Sequence, residues 1–299
     1  MFRGVSAFVL AGALVGLGLF SAAGQDQPDE KPDVRISASL STEPLLTAAA
    51  HTLKEERGLR IAITTHLTSV DDLDDLANGN ADLAFITKPL TGSDHARYPD
   101  LELVAVPVGM EVVALGVSSD LWDAGIRKIT QTTMRDIYEQ KITNWKVVGG
   151  PDERVSLFSF EQGGGVWEIF ATWLYGDARK APLPKVDNLA NSQDARDALE
   201  FTDGAITPIG AALVDNERCH ALGVDVAGKV LEPTADQVSS GAYPLVRPMV
   251  AVCIGRPTLN IKVVTEFLTG DDGQKLIKRT GAMGLEALPP PPPQENGGN

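Results

Sequence analysis

The sequence predicts an α/β protein of two lobes, each built on a mixed sheet flanked by helices. Short apolar, β-branched runs alternate with amphipathic segments along most of the chain, which is the pattern of parallel strands covered by helices. Two further apolar runs, 112–117 and 249–254, lie far apart in the sequence. We expect these two runs to cross between the lobes as hinge strands, with a ligand cleft beside them.

The first part of the chain has the clearest alternation. The strands and helices expected there are, in order, 34–39, 44–54, 59–64, 70–77 and 81–87. Ser41 or Thr42 is the candidate N-cap of the first helix, and Ser69 is that of the second. Three strands joined by two helices predict a parallel β-α-β-α-β unit.

The remaining elements follow the same logic of apolar period and breakers. Strands are expected at 103–108, 112–117, 155–159, 205–209 and 249–254, and helices at 132–138, 166–175, 192–199, 261–268 and 271–279. Pro208 is expected to break the strand in which it lies, because proline cannot donate to a ladder. Lobe one would comprise residues 33–112 plus 250–288, and lobe two residues 113–249.

Residues 1–24 have the composition of a secretory signal peptide. Arg3 is followed by the apolar run 7–20, and small residues then precede Gln25, as a cleavage site requires. A retained membrane anchor is the alternative. No cysteine lies directly after the apolar run, at the expected cleavage site, which excludes attachment of lipid at a mature N-terminal cysteine. We therefore expect a periplasmic or secreted protein.

Composition restricts the partners. The 40 acidic residues exceed the 26 basic ones, for a net charge of −14, which disfavours nucleic-acid binding through a basic face. We expect a monomer. Cys219 and Cys253 would pair in an oxidising compartment or remain as two buried thiols. The Pro-rich tail 289–299 is expected to be disordered and solvated, the alternative being a ligand for a partner domain.

Signatures of catalysis are lacking. No nucleophile-elbow motif occurs, and the four histidines have neither the i, i+4 spacing nor the neighbours of a metal site. The sequence therefore predicts no catalytic residue, no metal and no cofactor.

A glycine triplet, 163–165, leads directly into the helical segment 166–175. Backbone N–H groups at such a helix start point outward with the positive end of the helix dipole behind them, which favours an anion. The alternative is a tight strand-to-helix turn without a ligand.

Four segments in this order carry a family resemblance: 38–45, 79–90, 141–145 and 243–248. From about residue 34 to residue 288 the chain resembles the phosphate-binding proteins of ABC phosphate importers, in the type 2 periplasmic-binding-protein superfamily. The resemblance implies capture of phosphate or a related oxyanion between two lobes and delivery to an ABC permease. The alternative is an interaction or sensory module with weak or lost anion binding.

The resemblance also implies a set of ligand-binding residues. In lobe one these are Thr42 with the Glu43 N–H, and the side chains Ser69, Thr87 and Lys88. In lobe two they are backbone groups at the helix start. That lobe-two set is Gly164, Gly165 and Val166.

The second-lobe motif departs from the family pattern. Phe160, Gly164 and Val166 stand where the family has Arg, Ser and Thr. Losing three charge-assisted hydrogen bonds would remove about 5 kcal/mol of binding free energy. Lys88, Arg247 and Gln162 are the candidates to compensate, although Arg247 is expected to pair with a carboxylate.

Overall fold

The computed structural model describes residues 31–160, 165–182, 186–189 and 192–289. The predicted signal peptide, residues 161–164 of the glycine loop and residues 290–299 of the tail lie outside the described residues. All the elements below belong to one compact unit, which begins at Pro32.

The described residues form eleven strands and ten α-helices, with short 3₁₀ turns between some of them. The strands are β1 (Val34–Ser39), β2 (Ile61–His66), β3 (Leu83–Ile86), β4 (Leu103–Ser118), β5 (Lys128–Thr130), β6 (Ser156–Phe160), β7 (Asp187–Leu189), β8 (Ala205–Gly210), β9 (Cys219–Val226), β10 (Lys229–Leu231) and β11 (Val246–Ile254). The helices are α1 (Glu43–Arg57), α2 (Ser69–Ala77), α3 (Gly92–Arg97), α4 (Ser119–Asp123), α5 (Gln131–Tyr138), α6 (Gly165–Tyr175), α7 (Ser192–Phe201), α8 (Ala235–Ser239), α9 (Leu259–Thr269) and α10 (Asp271–Arg279).

The strands form one connected mixed sheet. Its main path runs β2-β1-β3-β11-β4-β8-β6-β7, and β9 pairs with β4, β5 and β10 beside it. Strand β1 is parallel to both β2 and β3, which confirms the predicted β-α-β-α-β unit. Strand β11 then pairs antiparallel with β3, so the sheet is mixed, as the sequence predicts.

Strand β4 is the longest strand and the spine of the sheet. Its first half pairs with β11, from Leu103 opposite Ile254 to Val112 opposite Val246. Its second half pairs with β8 and β9. The sequence predicts two separate strands here, because Gly109 and Glu111 interrupt the apolar run. The backbone stays extended through both residues.

Buried apolar side chains form separate clusters on the two halves of the sheet. One cluster extends from Met110 to Leu245 and takes in Ala287. The others combine the first strands and helices with β11, α9 and α10. This division lies close to the predicted lobe boundaries, which stay a prediction. Trp145 and Trp167 are core residues, each less than one-tenth exposed.

Two local predictions are wrong. Thr68, rather than Ser69, caps α2, because the Thr68 hydroxyl accepts from the Asp71 N–H and Ser69 is already helical. Strand β8 continues through Pro208, which lies opposite Leu115 of β4. Proline lacks only its own N–H donor. It therefore removes one hydrogen bond on one side of the strand and leaves the rest of the pairing intact.

The cysteines do not pair. Cys219 in β9 and Cys253 in β11 are both free and buried, and burial raises the pKa of each thiol. Of the two alternatives that the sequence leaves open, the structure shows the buried thiols. Within the described ranges, no helix combines the length and the apolar character needed to cross a bilayer.

A close backbone contact joins β8 to the end of α10 and generates a stability prediction. A methyl group at Gly210 would lie 2.8 Å from the Gly281 Cα and 2.9 Å from its carbonyl oxygen. Gly210→Ala must push these backbones apart, and we expect it to lower the free energy of unfolding by about 1–3 kcal/mol. Urea unfolding followed by circular dichroism measures the change.

The control is Gly92→Ala at the first residue of α3, where a methyl group meets no atom within 4 Å. This variant should keep the wild-type stability. Equal unfolding midpoints for Gly210→Ala and the wild type would contradict the contact.

Candidate functional site

A cavity of about 490 Å³ opens beside the N-termini of α1 and α6. Its walls come from the turn before α1, the middle of β4, the start of α6, and the segment that follows α10. The lining residues are Leu40, Ser41, Thr42, Pro44, Leu45, Glu111, Val112, Val113, Phe160, Gly165, Val166, Ile169, Gln193, Gly210, Leu213, Met249, Arg279, Thr280, Gly281 and Ala282. The volume is within the range of small-molecule sites.

The turn before α1 places the Ser41 hydroxyl at the cavity, where it can donate a hydrogen bond. Its Oγ accepts a hydrogen bond of 2.9 Å from the Arg247 guanidinium, so the Ser41 O–H remains available to an acceptor. Thr42 is the N-cap of α1 by position, but its side chain makes no capping bond. Its O–H instead donates to the Ser39 carbonyl at 2.7 Å, and the Glu43 N–H donates to the Leu40 carbonyl.

The start of α6 packs directly against this turn. A methyl group at Gly165 would lie 2.5 Å from the Ser41 Cβ and 2.9 Å from an Arg247 nitrogen. Only glycine fits this approach. The first N–H groups of a helix have no intrahelical acceptor, and those of Gly165 and Val166 belong to this set.

Arg247 ties four segments together beside the cavity. It donates to Glu111 of β4, to Glu168 of α6 at 2.6 Å, and to Ser41. Its side chain is only 15% exposed. Burial alone would lower the pKa of Arg247, but the two carboxylates outweigh it and raise the pKa above its usual value. The expected pairing of Arg247 with a carboxylate is confirmed.

Ser69 and Thr87 belong to a second cluster, at the end of β1. The Ser69 Oγ accepts from the Thr87 N–H at 3.1 Å and lies 3.3 Å from the Ser39 Oγ. The Thr87 hydroxyl donates to Ser39, whose own hydroxyl donates to the carboxylate of Asp72. Neither Ser69 nor Thr87 is on the cavity wall.

Asp72 anchors this hydroxyl cluster from α2. Its carboxylate is fully buried and accepts from Ser37 and Ser39 at 3.1 and 3.2 Å. Burial raises the pKa of Asp72 to about 6, against the smaller lowering effect of the two hydroxyl donors. The ionised form is therefore costly in the folded protein.

Lys88 is bound elsewhere. Its ammonium group lies 2.6 Å from both carboxylate oxygens of Asp94. Asp94 also accepts from the N–H and hydroxyl of Thr91, in the capping box of α3. Lys88 thus neutralises a helix cap and does not line the cavity.

Of the predicted ligand-binding residues, the structure brings Thr42, Gly165 and Val166 to one cavity. Ser69 and Thr87 lie together in the cluster around Asp72, Glu43 keeps its N–H within the turn, and Gly164 lies outside the described residues. Ligand contact by these residues stays a prediction.

Sequence reasoning missed three charged residues near the cavity: Glu111, Glu168 and Arg279. Glu111 had a signal, since a lone carboxylate within an apolar strand requires a partner. Arg279, on the wall, forms no ion pair with any described residue. Within the same residues, no group of histidine, cysteine and carboxylate side chains has the arrangement of a metal site.

The mixed sheet, with a ligand-sized cavity at two helix N-termini, defines the class as an α/β protein of the solute-binding type. Residues 21–271 match the family described as PBP superfamily domain. The chain belongs to this family.

Several known proteins are similar. The phosphate-binding protein PstS of Bacillus subtilis is 25% identical over 247 residues, covering 81% of this chain and 77% of that protein. A possible phosphate binding protein from Planctomyces limnophilus has a TM-score of 0.70 at 17% identity, covering 86% of this chain and 93% of its own. An ABC-type phosphate transport receptor from Vibrio cholerae has a TM-score of 0.62 at 21% identity, covering 84% and 99%. The two structures support the fold.

Removing the cation of the Arg247 cluster should destabilise the protein. Arg247→Gln leaves Glu111 and Glu168 without their partner, and we expect a loss of about 3 kcal/mol in the free energy of unfolding. Urea unfolding measures it. Arg179→Gln breaks an ion pair with Asp177 in which the arginine is 90% exposed, and should change nothing measurable. Equally small effects of both substitutions would contradict the role of Arg247.

Asp72 should make stability depend on pH. Its folded pKa of about 6 exceeds the value of 3.8 for a free carboxyl, so between these pH values the folded state binds more protons than the unfolded state. The contribution of Asp72 to the free energy of unfolding is therefore fully present below pH 3.8. It is lost as the pH rises through about 6.

Asp72→Asn cannot ionise, which gives the test its control. Between pH 4 and pH 7 the wild type should lose about 2–3 kcal/mol relative to Asp72→Asn. Other carboxylates act equally in both proteins and cancel in the difference. Urea unfolding of the two proteins at several pH values measures it, and parallel stability curves would contradict the prediction.

Proposed function

We propose that the protein is an extracytoplasmic solute-binding protein that holds phosphate or a related oxyanion for ABC-type import. One observation carries the proposal: Ser41 and the N-terminus of α6 meet at a single cavity, so closely that a methyl group at Gly165 would lie 2.5 Å from the Ser41 Cβ. Hydroxyl and N–H donors at helix starts are suited to oxyanions. The Bacillus subtilis relative is a phosphate-binding protein.

The hydroxyl donors at the cavity differ in the hydrogen bonds that they must break to bind an anion. Ser41 offers its O–H without losing another bond, since among the described residues it accepts from Arg247 and donates to no partner. Thr42 must turn its O–H away from Ser39, exchanging a neutral hydrogen bond for a stronger charge-assisted one. Arg279 adds a cation on the cavity wall that forms no ion pair with any described residue. Ser69 and Thr87 would act through the cluster that borders the turn.

The remaining features of the proposal rest on the same resemblance. Residues 1–24 would direct export, and residues 33–112 with 250–288 would close on residues 113–249 around the ligand. Closure is driven by the higher affinity of the closed form. An ABC permease would receive the ligand, and the protein would act as a monomer without catalytic activity.

One observation favours the second candidate, an interaction or sensory module with little anion binding. Both predicted cations near the site are committed to carboxylates, Lys88 to Asp94 and Arg247 to Glu111 and Glu168. Glu111 also lines the cavity and opposes an anion. This module keeps the fold and loses the ligand.

Titration calorimetry separates the two candidates. The chain from Gln25 onward, freed of ligand by unfolding and refolding, is titrated with phosphate, sulfate and molybdate. We expect saturable heat with phosphate at a 1:1 ratio. Absence of heat with all three anions would contradict oxyanion binding and support the module.

Three substitutions locate the anion. Ser41→Ala should weaken phosphate binding about 10- to 100-fold, since it removes a charge-assisted hydrogen bond worth about 1.5–3 kcal/mol. Thr42→Val should have a smaller effect, about fivefold, because its hydroxyl exchanges one bond for another. Thr52→Val is the matched control: Thr52 also donates to a backbone carbonyl, that of Ala48, but lies away from the cavity. Equal affinity of Ser41→Ala and the wild type would contradict this placement.

A further inference from the structure

The cavity is larger than a bare oxyanion requires. Its volume of about 490 Å³ falls within the range of about 300–1,000 Å³ that is typical of sites for organic small molecules. A phosphate ion, with one phosphorus and its oxygens, fills a small part of this space. The remainder would hold water or another part of a ligand.

The walls beyond the helix starts are apolar. Leu40, Phe160, Val166, Ile169, Leu213 and Met249 line the cavity. The polar lining residues are Ser41 and Thr42 beside Gly165, Glu111 of β4, Gln193 of α7, and Arg279 and Thr280 at the end of α10. The Glu111 carboxylate is paired with Arg247. A few polar groups in a mostly apolar pocket are typical of sites for organic ligands.

Hydrogen-bond accounting points the same way. A buried oxygen without a donor is costly, and more so when it is charged. The side chains of Phe160 and Val166 line the cavity and carry no hydrogen-bond donor. A phosphonate replaces one oxygen by carbon and so requires fewer donors, while its carbon substituent gains from contact with the apolar wall.

We propose that the cleft binds an organophosphorus oxyanion, a phosphonate or phosphate monoester that carries one small apolar group. The phosphorus oxygens lie at Ser41 and the N-terminus of α6, and the apolar group lies against Phe160, Ile169 and Leu213. This inference rests on the proposed oxyanion site and names its ligand class.

Comparative calorimetry tests the ligand class. Ligand-free protein from Gln25 onward is titrated with inorganic phosphate and with phenylphosphonate under the same buffer and salt. We expect phenylphosphonate to bind at least tenfold more tightly than phosphate. Tenfold corresponds to about 1.4 kcal/mol.

A substitution in the apolar wall tests the placement. Leu213→Gln should reduce the preference for phenylphosphonate over phosphate to less than threefold, because a polar side chain replaces the apolar contact. Leu259→Gln is the control, because Leu259 is 76% exposed and does not line the cavity. Circular dichroism establishes that both variants fold.

The outcomes distinguish failure of the inferred ligand class from failure of the proposed oxyanion site. If phosphate binds as tightly as phenylphosphonate or more tightly, the inference is overturned and the oxyanion site stands. If Leu213→Gln folds and keeps the full preference, the placement is overturned. If neither compound binds, the inference and the proposed function both fail.

Discussion

The position of both helix starts at the cavity depends on one buried guanidinium. Arg247 donates to Glu111, Glu168 and Ser41 at once. If its guanidinium turned outward to solvent, the charge of Glu111 on the cavity wall would have no partner. β4, β11, α6 and the turn before α1 therefore share a single ionic contact. Gly165 is required by this contact, since any side chain would collide with Ser41.

Much of the fold follows from sequence period alone. β1 has the predicted bounds, and α10 is where its amphipathic pattern places it. The failures have local causes. Gly109 and Glu111 resemble strand ends, yet β4 continues because β11 supplies a pairing partner over its first half. Short elements such as α3, α4 and β5 were missed, since a few residues carry too little periodicity.

The site was harder to predict than the fold. The sequence located the start of α6 and the turn before α1, because glycine and capping residues signal helix starts. It could not assign partners to charged side chains. Lys88 is six residues from Asp94 and joins its capping box, a local pairing, whereas Arg247 reaches Glu111 across 136 residues of sequence. The Thr42 hydroxyl donates to the Ser39 carbonyl, and no sequence pattern indicated this hydrogen bond.

The pairing of β3 has a consequence for the order in which the chain folds. One side of β3 is bonded to β1, and the other only to Val250–Val252 of β11, near the end of the chain. The apolar cluster around Val34, Phe85 and Leu268 likewise needs α9. During synthesis this half of the molecule cannot complete its core until the last segments have been made. The other cluster draws mainly on residues 110–245, which form one continuous stretch of the chain. The earliest strands to be made are thus among the last to be completed.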